Sequence, residues 1–373
     1  MVDSRVTQLA ELVSSHSMRL TKADNLLIQA IDIRDELVAE FVRVAQSHGA
    51  NVVVRYESNL IKRQMLLGMT EENAKLHGRT EKYEMEQMTA CLMIRGASNL
   101  NEHGDVPSDK MALWQTHYAQ PVTFQTRIPN TKWVVLRWPN PSMAQQAGMS
   151  TPAFEDFFFR VCLVDYAKMG AAAKPLEELM ARTDQVRIVG PGTDLNFSIK
   201  GIGAVRSEGR RNIPDGECYT CPVKDSMNGT VQYNTATLNQ GAVFNDIRFV
   251  VKNGKIVEAT AGDKTQKLND ILDTDEGARY FGEWSLGFNP HILHPMLDTL
   301  FDEKIAGSFH LTPGNAYDGP GGNGNKSAIH WDIVNIQRPD YGGGEIWFDG
   351  RLIRKDGIFV VPELEGLNPN RLV

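Results

Sequence analysis

The stretch "IRFVVKNGKIVEA", residues 247–259, decides how the second half of this chain is read. Two runs rich in β-branched and aromatic residues flank Asn253-Gly254, the dipeptide that suits a two-residue type I′ turn, so the stretch predicts a β-hairpin. The same texture extends in both directions. Upstream, "VRIVG" and "LNFSIKG" flank "PGTD", and downstream "GEIWFDGRLIRKDGIFVV" (344–361) reads as two more hairpins with Asp-Gly turns. One helix is expected near residues 264–272. The region 184–373 is therefore expected to be a mostly antiparallel β-rich domain. The glycine-rich patch "DGPGGNGNKS" (318–327) lacks phosphate-loop spacing and leads into a strand, so it reads as a mobile loop beside a site.

Residues 1–183 read differently. "NVVVRY" (51–56) is a β-rich run, and the further short apolar runs "ACLMIRG" (90–96) and "KWVVLRW" (132–138) look like buried strands of a parallel or mixed sheet, with charged helical stretches such as 71–88 between them. Residues 23–47 carry apolar side chains at helical spacing and predict one helix ended by "HGA". Another opens at Thr151-Pro152, a cap followed by proline, and runs through "FEDFFFRVCLVDYAKM", ahead of a last helix at 175–182. The phenylalanines of that stretch are expected in the core. The fold class is thus α/β: an N-terminal three-layer α/β domain followed by a β-rich domain.

Composition bounds the function. The chain has 373 residues, 42% hydrophobic and 23% charged, enough for a core of normal size without staples. A formal net charge of −7 and the lack of a basic, aromatic-interleaved tract argue against nucleic acid as a partner. No apolar run is long enough for a membrane span and the polar start is no signal peptide, so a soluble cytoplasmic protein is expected. The Cys218-x-x-Cys221 pair is followed directly by Pro222 and has no second pair, which suits neither a thioredoxin-like helix nor a zinc ribbon. Both cysteines are read as bystanders in a strand.

Metal-capable residues gather in the second half. "SAIHWDIVNI" (327–336) alternates as a strand, placing His330 and Asp332 on one face, ~7 Å apart at Cα. "GSFHLTPGNAYDG" puts His310 on a strand face with Ser308 and Thr312, and Tyr317 beyond a Pro-Gly turn. Glu283 sits among apolar and small residues, where a carboxylate needs a partner or an ion. Glu217 follows a Pro-Asp-Gly turn. Each residue alone has an ordinary reading, as a hydrogen-bonded histidine or a solvated glutamate. Their concentration at strand edges of one domain is what suggests a metal site.

Four segments, "NIPDGECYTCPVKDSMNG", "GARYFGEWSLGFNPHI", "FDEKIAGSFHLTPGNAY" and "NKSAIHWDIV", together resemble the thermophilic-type metallo-aminopeptidases, the aminopeptidase T and aminopeptidase S group. The likeness reaches upstream through "GTDLNFSIKG" and "LRWPNPSMAQQAGMSTPAFEDFFF". It implies that Glu217, Glu283, His310, His330 and Asp332 bind metal and that Tyr317 is an active-site tyrosine. It also implies short peptide substrates and a homodimer. The chain departs from the family in Thr312-Pro313 and in a shortened, glycine-rich stretch between Tyr317 and His330. Three carboxylates with two neutral histidines carry −3, which two divalent ions and a bridging hydroxide bring to neutrality. Two ions are therefore expected, of Zn, Co, Mn or Mg, since no thiolate contributes. Glu283 is the better candidate for the bridge between them, and Glu217 for a terminal ligand or proton shuttle. The alternative is a dihydroxypyridine dioxygenase-like enzyme with one Fe(II) on His310, His330 and Asp332.

Overall fold

The computed structural model describes residues 3–373, which divide into two compact units. The first comprises Met1–Leu163 with Gly209–Ile213, and the second Val164–Glu208 with Pro214–Val373. The boundary expected at residue 183 falls at the end of the helix Tyr166–Arg182, which belongs to the second unit.

The first unit is built on a five-stranded parallel sheet in the order Asn51–Glu57, Asn25–Ile31, Ala90–Arg95, Lys132–Arg137, Asn212–Ile213. Its central strands are buried on both faces, as unbroken apolar runs require when helices cover a sheet twice. The single helix expected over 23–47 is instead a strand, Asn25–Ile31, a turn through Asp32 in the left-handed region (φ 51°), and a helix, Asp35–Ser47. A fully buried run such as "NLLIQAI" satisfies helical and strand spacing alike, and no glycine or proline marks the turn. The helix from Thr151 is also corrected. Ser150, not Thr151, is its cap, accepting from the Ala153 amide, and it ends at Cys162. Asp165 then caps a new helix through the Lys168 amide at 2.9 Å, and that helix continues past Pro175 to Arg182. Phe154, Phe157, Phe158 and Phe159 are all core residues.

The second unit pairs two antiparallel sheets. One has eight strands in the order Lys255–Thr260, Arg248–Lys252, Asn228–Gln232, Thr193–Ser198, Gln185–Gly190, Glu345–Phe348, Arg351–Lys355, Ile358–Phe359. The other has five: Ile333–Ile336, Ser308–Pro313, Phe281–Gly287, Glu217–Thr220, Val205–Ser207. Trp284 joins them, its ring 5.2 Å from Phe197 and 5.9 Å from Phe348 of the larger sheet. Because side chains alternate, sending Trp284 to the core sends its neighbours Glu283 and Ser285 to the opposite face of the smaller sheet. Among the described residues no helix is long and apolar enough to cross a membrane.

The hairpin at 247–259 forms as expected, with Asn253 at φ 48° and Gly254 at φ 76°. A β-carbon on Gly254 would lie 1.7 Å from the Lys224 carbonyl oxygen. Gly254→Ala is therefore expected to destabilise the protein by more than the ~1–2 kcal/mol of a left-handed non-glycine residue. Urea unfolding checks this through a lower midpoint at unchanged slope.

Candidate metal centre

The smaller sheet gathers its polar side chains by register. Glu283 lies opposite Thr312, Ser285 opposite both His310 and Tyr219, and Gly287 opposite Glu217. All of these polar side chains share the face turned away from the core. The Pro-Asp-Gly turn aims Glu217 into the group. Gly216 has φ 132° and a β-carbon there would meet Asn289 at 3.1 Å, while Asn289 Nδ2 donates to the Asp215 carbonyl at 2.8 Å.

Five of the expected residues converge. His310 Nε2 is 3.3 Å from Glu283 Oε1, 3.7 Å from Glu217 Oε2 and 4.0 Å from Asp332 Oδ1. His330 Nε2 is 3.4 Å from Glu283 Oε2 and 3.3 Å from Asp332 Oδ1. Two groups of donor atoms result, Glu217 with Glu283 and His310, and Glu283 with His330 and Asp332, each lying within 4.8 Å. Glu217, Glu283, His310 and Asp332 are buried, whereas the side chain of His330 is 27% exposed and forms the open side.

His330 reaches this position without the predicted strand. Regular pairing begins only at Ile333, and His330 is tied to the sheet by one isolated bridge to Gly314. Its Nδ1 lies 2.8 Å from the Asn315 carbonyl oxygen and donates to it, which leaves Nε2 as a lone-pair donor. Tyr317 is half exposed, its ring 5.2 Å from that of His330 and 5.3 Å from that of Tyr219. The Glu283 carboxylate above all, with burial, holds the Tyr317 phenol far above its ordinary range, so it remains a hydroxyl donor. The glycine-rich loop is stitched down rather than hanging free. Asn323 Nδ2 donates to the Pro222 and Phe281 carbonyls, and Asn325 Nδ2 to those of Gly277 and Gly314.

Sequence reasoning missed the groups behind the ligands. Lys304, wholly buried, donates to Glu217 Oε1 at 2.6 Å and also contacts Glu303. Thr312 Oγ1 donates to Asp332 at 2.6 Å. Lys304 stands within the quoted "FDEKIAGSFH", but a run of charged residues beside a short helix reads as a solvated face. All four cysteines are free and buried, and none joins the donor groups among the described residues; Cys218 lies in the strand Glu217–Thr220 and Cys221 just beyond it.

The electrostatics show what the cluster lacks. Burial works against a charged His310, yet the Glu283 hydrogen bond and the Glu217, Glu283 and Asp332 charges lift its pKa to about 9. His330 is raised for the same reason, mainly by Asp332, against its own burial. Burial opposes the Glu283 and Asp332 charges, but the two histidines hold both carboxyls below their usual range. Protons on the imidazoles thus serve as the counter-charge that three buried carboxylates demand. A divalent cation would supply the same charge, and the oxygen and nitrogen donors fit one.

A buried cluster of carboxylates and imidazoles has the donor set of a metal centre. The chain belongs to the thermophilic metalloprotease family (M29), whose model matches residues 2–344, and is accordingly a metal-dependent hydrolase of peptide bonds. Aminopeptidase T of Thermus aquaticus is 25% identical over 91% of this chain and 94% of its own length. Aminopeptidase 2 of Geobacillus stearothermophilus is 35% identical over 39% of this chain, and the match spans 37% of that relative's length. The fold is that of wild-type AmpT from Thermus thermophilus, with a TM-score of 0.80, 22% identity, and 96% and 99% of the two chains covered. It is also shared with 2,5-dihydroxypyridine dioxygenase from Pseudomonas putida KT2440, at a TM-score of 0.64, 16% identity, and 98% and 99% coverage.

Metal must displace the imidazole protons, so binding to the chelator-treated protein is expected to release protons at pH 7.5 and to strengthen as pH rises towards 9. Calorimetry in buffers of different ionisation enthalpy measures this, and buffer-independent heats would contradict it. In the metal-free protein the His310 contribution to stability is full below its unfolded pKa of ~6.5. It is lost as pH rises through about 9, so the thermal midpoint should fall across that window.

Proposed function

We propose that this metallopeptidase is an aminopeptidase that removes N-terminal residues from short peptides at a site holding two divalent ions. The observation carrying the reading is the position of Glu283, whose Oε1 faces His310 at 3.3 Å while Oε2 faces His330 at 3.4 Å. One carboxylate belonging to two donor groups is suited to bridge two cations. Glu217 and His310 would complete one position, His330 and Asp332 the other. When bound, such ions lower the pKa of a shared water and polarise the scissile carbonyl.

The remaining steps fall to the protein. Thr312 fixes the orientation of Asp332, and Asn315 fixes the tautomer of His330. Tyr317, kept protonated and with its ring beside that of His330, would donate a hydrogen bond to the oxyanion that develops as the carbonyl is attacked. The homodimer is part of the proposal through the family likeness. Zn, Co, Mn and Mg all suit the donor set.

A second reading rests on the shared dioxygenase fold and on His310, His330 and Asp332 as a two-histidine, one-carboxylate set for a single iron. The inclusion of both glutamates in the donor groups and the closer fold likeness to AmpT favour the peptidase.

Chelation is expected to abolish hydrolysis of aminoacyl-nitroanilides and unblocked dipeptides, and Zn, Co, Mn or Mg to restore it. N-terminally acetylated peptides should stay intact. Glu283→Gln and His330→Ala should each lower kcat by more than the ~10–100-fold typical of losing an outer-shell partner. A substrate panel uncleaved under every metal would refute the proposal, and one iron per chain with oxygen uptake on a dihydroxypyridine would establish the alternative.

A further inference from the structure

Lys304 is fully buried, and its ammonium faces three acids: Glu217 Oε1 at 2.6 Å, Glu303, and Asp215 Oδ1 at 3.9 Å. A buried ammonium is tolerated only when paired, and here the pairing is directional. The backbone holds it in place. Asn289 N–H donates to the Lys304 carbonyl at 3.0 Å, and the same asparagine's Nδ2 holds the Asp215 carbonyl in the Pro-Asp-Gly turn. Asn289 therefore clamps the lysine and the turn that delivers Glu217 into one unit.

The other oxygen of Glu217 is treated differently. Ser285 Oγ lies 3.0 Å from Glu217 Oε2 and 3.1 Å from the Cys218 carbonyl oxygen, and one hydroxyl proton can serve only one of them. Turning it to the carbonyl opens Oε2 to a cation at no loss of hydrogen bonding. Oε1 is instead engaged by the ammonium, whose positive charge disfavours a second cation on the same oxygen.

We propose that Lys304 is a positioning residue that pins Glu217 Oε1, so that Glu217 serves the position shared with Glu283 and His310 through Oε2 alone. Glu217 is then a monodentate terminal ligand rather than a mobile proton carrier. The inference rests on the two-metal reading.

Two consequences of removing the lysine have opposite signs, which makes the proposal testable. If its charge mattered most, deleting a cation beside a ligand would draw a divalent ion in more tightly. If its grip on Glu217 matters most, one position loses a held ligand and weakens. Outer-shell losses of this kind cost ~10–100-fold in metal affinity.

The test is Co²⁺ titration of the chelator-treated full-length protein and of Lys304→Met, followed by visible absorption and calorimetry. The wild type should bind two ions. The variant should bind one with wild-type affinity and the other ~10–100-fold more weakly, with an altered absorption band for that ion. Because Lys304→Met removes the hydrogen-bond partner of buried Glu217 and Glu303, Lys304→Met with Glu303→Gln is measured beside it, with circular dichroism to verify folding, and the same selective loss is expected. Two ions bound as in the wild type, or more tightly, in a folded variant would overturn the role of Lys304 and leave the two-metal reading standing. Fewer than two ions in the wild type would overturn that reading and this inference with it.

Discussion

Three buried carboxylates, Glu217, Glu283 and Asp332, crowd around two imidazoles, and the groups nearest them answer their need for positive charge. Buried anions at this spacing cannot persist uncompensated. Part of the compensation is permanent, in the ammonium of Lys304. Part is exchangeable, in the protons that the field draws onto His310 and His330. The exchangeable part is what a divalent cation replaces, so the acidity that burdens the metal-free fold is also what gives it affinity for metal.

The scaffold keeps this cluster rigid by separating its two faces. Trp284 carries the contact with the larger sheet, and its neighbours along the strand carry the acid and the serine that faces Glu217. Four of the five candidate ligands are buried, and only His330 comes from an open, loop-borne position. Tyr317 stands beside it. The open side of the cluster is therefore the side on which a substrate carbonyl would meet both the metal position and the phenol.

Sequence was most informative where local chemistry is unambiguous. Asn253-Gly254 marked its hairpin, the strands around "ACLMIRG" and "KWVVLRW" lie where the apolar runs stand, and simple alternation set His310 on one strand face with Ser308 and Thr312. It failed where two periodicities coincide, as in "NLLIQAI", and where a turn had no glycine or proline, as at Asp32. His330 and Asp332 do lie together, but not on the expected strand face, because tertiary contacts with Gly314 and Asn315 position His330 in place of a continuous strand. Lys304 was invisible because its meaning depends on Asn289 and Asp215, residues remote in sequence that only the fold brings together.

The shared fold of the aminopeptidase and the dioxygenase shows that this scaffold supports more than one chemistry, so the number of ions decides between them. On the proposed two-metal reading, the Glu283 carboxylate would bridge two cations. Anomalous diffraction from crystals grown with Zn²⁺ tests it most directly. Two peaks per chain are expected, ~3.5–4 Å apart, one on each side of the Glu283 carboxylate. A single peak held by His310, His330 and Asp332, with Glu217 and Glu283 unengaged, would contradict it.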